Sequence, residues 1–216
     1  MQGHRPEILA PLSDDEFNQE LSACADIALA ALGDGAETYF MPLLITIEHD
    51  KENMRPNEPI PRVYKVRVMA DMDMDRRYEE LRALGFEAGV KGELVQAAFF
   101  CAEAWNASSG KLSQEEYKAK YKQVADDPNK WEAVTIIGMT IDGRMAFADI
   151  PFGRGDRDEM IAGGVSVYGY GTEATQGGHV EMGGELMPQY FYGYGNGMRI
   201  WLLNRKAGVG RMRTAR

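Results

Sequence analysis

Ala133-Val-Thr-Ile-Ile-Gly-Met-Thr140, then Ile141-Asp142-Gly143, then Arg144-Met-Ala-Phe-Ala-Asp-Ile150: this stretch decides the fold class. Two runs rich in apolar and β-branched residues flank an Asp-Gly pair. Asp-Gly tolerates the positive backbone angles of a tight turn, so the stretch reads as an antiparallel hairpin.

Upstream of it, Ser113-Gln-Glu-Glu116 is a capping box opening a short polar helix through Val124, closed by Asp126-Asp127-Pro128. Residues 93–105 fit either element. Leu94, Ala98, Cys101 and Trp105 match a helix; as a strand, Val95, Phe99, Cys101 and Trp105 share a face. Gly89 and Gly92 precede the run and Phe99-Phe100 favours sheet, so we read it as a strand. Asp73 to Gly85 is helical, with Tyr78, Leu81 and Leu84 inward. Tyr64, Val66 and Val68 alternate with Lys65 and Arg67, which predicts a half-buried strand with a solvated outer face. Phe40 to Glu48 is another strand, with Pro42 confined to its start or to an edge. A Pro-rich loop, His49 to Pro61, joins these two. The first element is a helix: Ser13-Asp-Asp-Glu16 caps it, Phe17, Leu21, Cys24, Ala28 and Leu32 line one face, and Gly33 and Gly35 end it.

Downstream the composition changes. Residues 153–197 hold 13 of the 24 glycines and five of the ten tyrosines. Helical periodicity is not evident there; Val165 to Tyr168 reads as a strand, with Arg199 to Leu203 a weaker candidate. Glycine at this density costs backbone entropy on ordering, so the segment needs a surface for its rings. The expected division is a core at 1–152 and a Gly/Tyr-rich β/coil arm at 153–216. The fold class is α+β: a mixed, mainly antiparallel sheet covered on one face by two or three helices.

Charge is as uneven as composition. The net charge is −9. Arg199, Arg205, Lys206, Arg211, Arg213 and Arg216 follow the last acidic residue, so residues 1–198 carry 18 bases against 33 acids, or −15. An acidic body repels nucleic acid and anionic membrane, and a basic tail on it is the main asymmetry. No run approaches the ~20 apolar residues of a membrane span. The N-terminus lacks a secretory h-region, so a cytoplasmic setting is expected, with Cys24 and Cys101 reduced and buried.

Motifs for chemistry are sparse. Asp71-Met-Asp73-Met-Asp75 resembles the start of a calcium loop, but Arg76 and Arg82 occupy the positions that need Gly and Glu. Gly169-Tyr-Gly171-Thr-Glu-Ala174 lies late in the chain and runs into Gly177-Gly178, which opposes the helix a dinucleotide site requires. His4, His49 and His179 have no zinc spacing, so neither a metal nor a cofactor is expected. The catalytic candidates are carboxylates. Glu103 shares a strand face with Phe99, Cys101 and Trp105, Glu132 follows Trp131, and Glu48 adjoins His49. Paired carboxylates in a cleft would suit hydrolysis of glycosidic type. Pairing of Glu103 and Glu132 with an arginine is the structural alternative, and acidic neighbours would raise the pKa of His49.

The leading expectation is a non-enzymatic interaction or structural protein. Tyr190, Tyr192, Tyr194, Arg199, Trp201, Arg205, Lys206, Arg211, Arg213 and Arg216 supply residue types that dominate binding surfaces. The expected partner is another protein or a second copy, with no membrane. A hydrolase using Glu103, Glu132, Glu48 and His49 is the first alternative. Nucleic-acid binding through the basic tail, opposed by the acidic body, is the second.

Overall fold

The computed structural model describes residues 11–32, 39–50, 53, 61–70, 73–107, 112–156, 159–170 and 186–206. In chain order the elements are α1 (Asp14–Leu32), β1 (Leu43–His49), β2 (Arg62–Val68), α2 (Met74–Val90), β3 (Val95–Asn106) and α3 (Gln114–Lys120). There follow β4 (Trp131–Thr140), β5 (Met145–Arg154), β6 (Met160–Ala162), β7 (Ser166–Tyr168) and α4 (Leu186–Lys206). The fold is α+β. The strands form one curled sheet in the order β2-β1-β3-β4-β5-β6, with β7 also on β5, and every pairing is antiparallel.

The hairpin is β4 and β5, paired from Ala133–Pro151 to Met139–Met145. Its loop is Ile141–Gly143: the Thr140 N–H donates to the Arg144 carbonyl at 2.9 Å, and Gly143 has φ +90°. Gly143 thus takes the left-handed position that closes a three-residue hairpin loop. The segment 95–106 is a strand, as Phe99-Phe100 suggests. A bulge between Ile47 and Glu48 shifts its register. Val95 therefore joins the core on the opposite face from Phe99 and Cys101, a correction to the simple alternation.

Helices cover both faces of the sheet, not one. On one side α1, capped by Ser13 and Glu16, buries Phe17, Leu21, Cys24, Ala25, Ala28 and Leu32 against β1, β3, β4 and β5. Gly138 leaves the space into which the Phe99 ring fits, and Phe99 packs on Phe17 with ring centroids 5.8 Å apart. On the other side α2 and α4 bury Leu81, Ala88, Leu186, Met187, Tyr190 and Tyr194 against Leu44, Val95, Phe100 and Ile137.

Residues 186–206 therefore correct the expectation of a β/coil arm and of a strand at Arg199–Leu203. Each interior glycine costs a helix about 1 kcal/mol relative to alanine, and Gly193, Gly195 and Gly197 obscure the period. Two of them have a steric purpose. α2 and α4 run parallel, with Gly85 and Gly89 facing Gly193 and Gly197. A Cβ on Gly85 would lie 2.9 Å from the Tyr190 carbonyl carbon and 3.0 Å from the Tyr194 nitrogen. A Cβ on Gly193 would meet the Arg82 carbonyl carbon at 2.9 Å and the Phe86 nitrogen at 3.0 Å. The two backbones touch where side chains would otherwise hold them apart, as small-xxx-small pairs permit.

Candidate functional site

The structure brings Glu103 and Glu132 together, around an arginine. Both side chains come from neighbouring strands, β3 and β4, on the α1 face. Arg154, from the end of β5, reaches Glu132 at 3.2 Å through Nε and Glu103 at 3.5 Å through Nη2. The other Glu103 oxygen accepts the backbone N–H of Phe40. One guanidinium thus lies between the two carboxylates and neutralises part of their repulsion, and it stacks over Phe152 at 5.2 Å.

Glu48 and His49 point to opposite faces of β1. His49 lies across from Arg62 in β2. Burial, and then the Arg62 charge, push its pKa down, the reverse of the rise expected from acidic neighbours. Both effects favour the neutral imidazole. Its buried Nδ1 has no hydrogen-bond partner among the described residues. On this same face Arg62 binds Glu16 and Glu20 of α1, and the Tyr64 hydroxyl donates to Glu20. Glu48 is only 4% exposed. Its Oε1 accepts the Thr46 hydroxyl at 2.9 Å and its Oε2 the Lys65 ammonium at 2.7 Å.

Around Glu48 the structure forms a site the sequence did not single out. β1 and β2, the N-terminal approach to β3, α2 and α4 line a half-open cavity of about 70 Å³. Glu48, Lys65, Arg67, Glu87, Glu93 and Tyr190 are among its lining residues. Lys65 bridges Glu48 and Glu93, the latter at 2.9 Å. Lys91 pairs with Glu87, and Arg67 approaches Glu87 only to 4.0 Å. The face of β2 that was read as solvated thus covers a polar cavity, while Tyr64, Val66 and Val68 remain partly exposed. The period-2 alternation that places Lys65 and Arg67 on one face was in the sequence; the carboxylates they meet come from distant elements.

A further acid, half-buried, lies outside the sequence candidates. Asp149 on β5 accepts the Thr135 hydroxyl at 2.9 Å, and Asn106 donates to that same hydroxyl oxygen at 3.0 Å. Burial raises the Asp149 pKa.

The partner-binding candidates divide. Tyr190 and Tyr194 are corrected to core residues, 1% and 4% exposed. The Tyr194 hydroxyl donates to the Glu93 carbonyl at 2.6 Å and accepts the Val95 N–H at 3.3 Å. Trp201 is half-buried, its indole filling the space over Gly92, whose φ is +65°. Arg205 stacks on it at 5.2 Å. Tyr192, Arg199, Arg205 and Lys206 face outward, whereas Arg211, Arg213 and Arg216 lie outside the described residues. Asp73 of the acidic triplet caps α2, accepting the Arg76 N–H at 2.9 Å, and Asp71 lies outside the described residues. So do His4, His179 and most of the Gly169–Ala174 motif. Among the described residues no three His, Cys, Asp or Glu side chains are grouped to hold a metal, and no helix is long and apolar enough to cross a membrane. The chain matches no protein-family model, no curated protein and no solved structure.

Proposed function

We propose that the protein is a non-enzymatic interaction or structural protein whose C-terminal segment joins one copy of the chain to another. One observation carries this reading. After α4 has buried its inner side, its outer side still presents Tyr192 and Leu203, 62% and 65% exposed, together with Ile200 and Leu202. Exposed Arg199, Arg205 and Lys206 share that helix. Apolar groups bordered by one sign of charge are a docking composition. The oppositely charged partner is at hand in the −15 body of a second copy.

The test must leave Tyr190 and Tyr194 in place, because removing α4 would open the core. Light scattering on the full chain should give a multiple of 24.1 kDa that falls towards the monomer in high salt. Tyr192→Glu with Leu203→Glu, or loss of residues 207–216, should shift the mass to the monomer. A full chain that is already monomeric at low salt refutes the reading.

The hydrolytic alternative has the convergence of Glu103 and Glu132 in its favour. The Arg154 guanidinium occupies the place between them where a substrate and water would have to sit, so we rank it second. Nucleic-acid binding would show a steep salt dependence on the basic tail.

A further inference from the structure

The sheet ends on an open edge. β2 is its last strand beside β1, and among the described residues no strand pairs with its outer side. The Met69 N–H donates to the Pro42 carbonyl at 2.7 Å and the Asp50 N–H to the Pro61 carbonyl at 2.8 Å, so positions 61 and 69 turn these backbone groups inward. The bonding direction alternates along an antiparallel strand. The unbroken register from Arg62 to Val68 therefore gives Val63, Lys65 and Arg67 the bonds to β1. It leaves the N–H and C=O groups of Arg62, Tyr64, Val66 and Val68 pointing outward.

The devices that usually close such an edge are missing or withdrawn. β2 has no proline and no bulge. Lys65, the central cation of the strand, leans back over the sheet to Glu48 and Glu93. On the α1 face the outward backbone groups are flanked by Tyr64, Val66 and Val68, 43%, 49% and 60% exposed. Free backbone groups beside exposed apolar side chains are what an added strand uses.

Charge decides which strand fits. β2 carries Arg62, Lys65 and Arg67 and no acid. Arg62 is held by α1, whereas the Arg67 guanidinium stays half exposed and approaches Glu87 only to 4.0 Å. Antiparallel pairing with the β2 of a second copy, centred on Lys65, Val66 or Arg67, would set a base of one copy against a base of the other. Like charges directly opposite are destabilising, and an acid there is not.

We propose that the open edge of β2 receives an extended segment of another protein in which acidic residues alternate with β-branched apolar ones. Its apolar side chains lie beside Tyr64, Val66 and Val68, its carboxylates beside Lys65 and Arg67, and its backbone bonds to the outward row. The edge is separate from the outer side of α4 and does not depend on the assembly reading.

The probe is the peptide acetyl-Thr-Val-Glu-Val-Glu-Val-Thr-amide, titrated into the full chain at low salt and followed by amide-resolved NMR and hydrogen exchange. In the free protein the amides of Tyr64, Val66 and Val68 should exchange fast and those of Lys65 and Arg67 slowly. The peptide should give saturable shifts along residues 62–68 and slow the first set selectively. Its counterpart with lysine in place of glutamate should bind at least about tenfold more weakly, and Arg67→Glu should weaken the acidic peptide as much. Val66→Pro removes an N–H that β1 does not use, so the strand is kept while peptide binding is lost. The proposal is overturned if Tyr64, Val66 and Val68 are already protected in the free chain, because a segment of the chain or a second copy then holds the edge. It is overturned equally if millimolar acidic peptide gives no saturable shift, or if the lysine peptide binds as well as the acidic one. Unchanged binding of the acidic peptide to Val66→Pro or to Arg67→Glu also overturns it.

Discussion

Replacing Gly85 by alanine should destabilise the protein, while the same change at Gly195, on the facing helix, should not. A Cβ at Gly85 would sit 2.9 Å from the Tyr190 carbonyl carbon and closer still to its oxygen. Carbon atoms pack best at about 3.5–4.0 Å, so α2 and α4 must separate by the best part of an ångström. The obstacle is backbone, which cannot rotate away as a flexible side chain could. Separation loosens Leu81, Ala88, Tyr190 and Tyr194 together, since all four belong to the core that the two helices share. Overpacking of this kind costs about 3 kcal/mol at the upper end of its usual range. The helix propensity of alanine returns about 1 kcal/mol. The net expectation is a loss of about 2 kcal/mol, or a Tm lower by roughly 4–8 °C for a chain of this length. Gly193→Ala should behave alike, because it meets Arg82 and Phe86 backbone at the same distances. At Gly195 nothing lies within 4 Å of an added Cβ, so alanine there should add up to about 1 kcal/mol. Urea and thermal unfolding followed by circular dichroism measure all three. Gly85→Ala and Gly193→Ala that are as stable as the parent, or a Gly195→Ala that loses as much as they do, would refute the crossing described above.

Three further outcomes follow from the ionisable groups. The Ser13 backbone N–H, then Arg62 and the Ser13 hydroxyl, lower the Glu16 pKa from 4.5 to about 2. Glu16 thus adds stability that is fully present above pH 4.5 and is lost as pH falls through about 2. Glu16→Gln should cost no more than about 1 kcal/mol at pH 7, because the group is partly exposed and screened, and urea melts of the two proteins should converge towards pH 2. Burial raises the Asp149 pKa, so its charged form opposes folding, and that penalty appears as pH rises through the folded-state value. Asp149→Asn should raise Tm at pH 7 relative to the parent, and that gain should disappear at acid pH, where Asp149 of the parent is protonated; a drop in Tm at pH 7 would contradict the assignment. Burial pushes the Cys24 and Cys101 thiols up, so neither should react with a thiol reagent in the native protein, and both should titrate in urea. Rapid native labelling would contradict the core position of both.

Elements whose signals are local were legible from the chain. The Asp142-Gly143 turn, the Ser13 and Ser113 capping boxes and the α1 face from Phe17 to Leu32 each depend on residues a few positions apart, and each is where the pattern places it. The hydrophobic content of 95–106 fitted a helix as well as a strand; Gly89, Gly92 and Phe99-Phe100 favoured the strand, though not its register, which a bulge against β1 sets. In the candidate sites the arginine alternative for Glu103 and Glu132 could be foreseen. Arg154 itself could not, because it arrives from β5, 51 positions from Glu103.

What the chain determined alone was therefore its secondary elements up to β5, the strand at Ser166–Tyr168 but not β6, and the uneven distribution of its charge. Tertiary structure decided the last helix, the two-sided cover of the sheet and the polar cavity. Tyr190, Tyr194 and three glycines have weak helical preference in isolation, and their order comes from a backbone-to-backbone fit with Gly85 and Gly89 over a hundred residues away. Glu48, Lys65, Glu93 and Tyr190 likewise lie far apart along the chain, and only strand pairing and helix packing bring their polar atoms to one cavity. Local physics fixes which residues can form an element; the cost of leaving surfaces and polar groups unmatched fixes where that element goes.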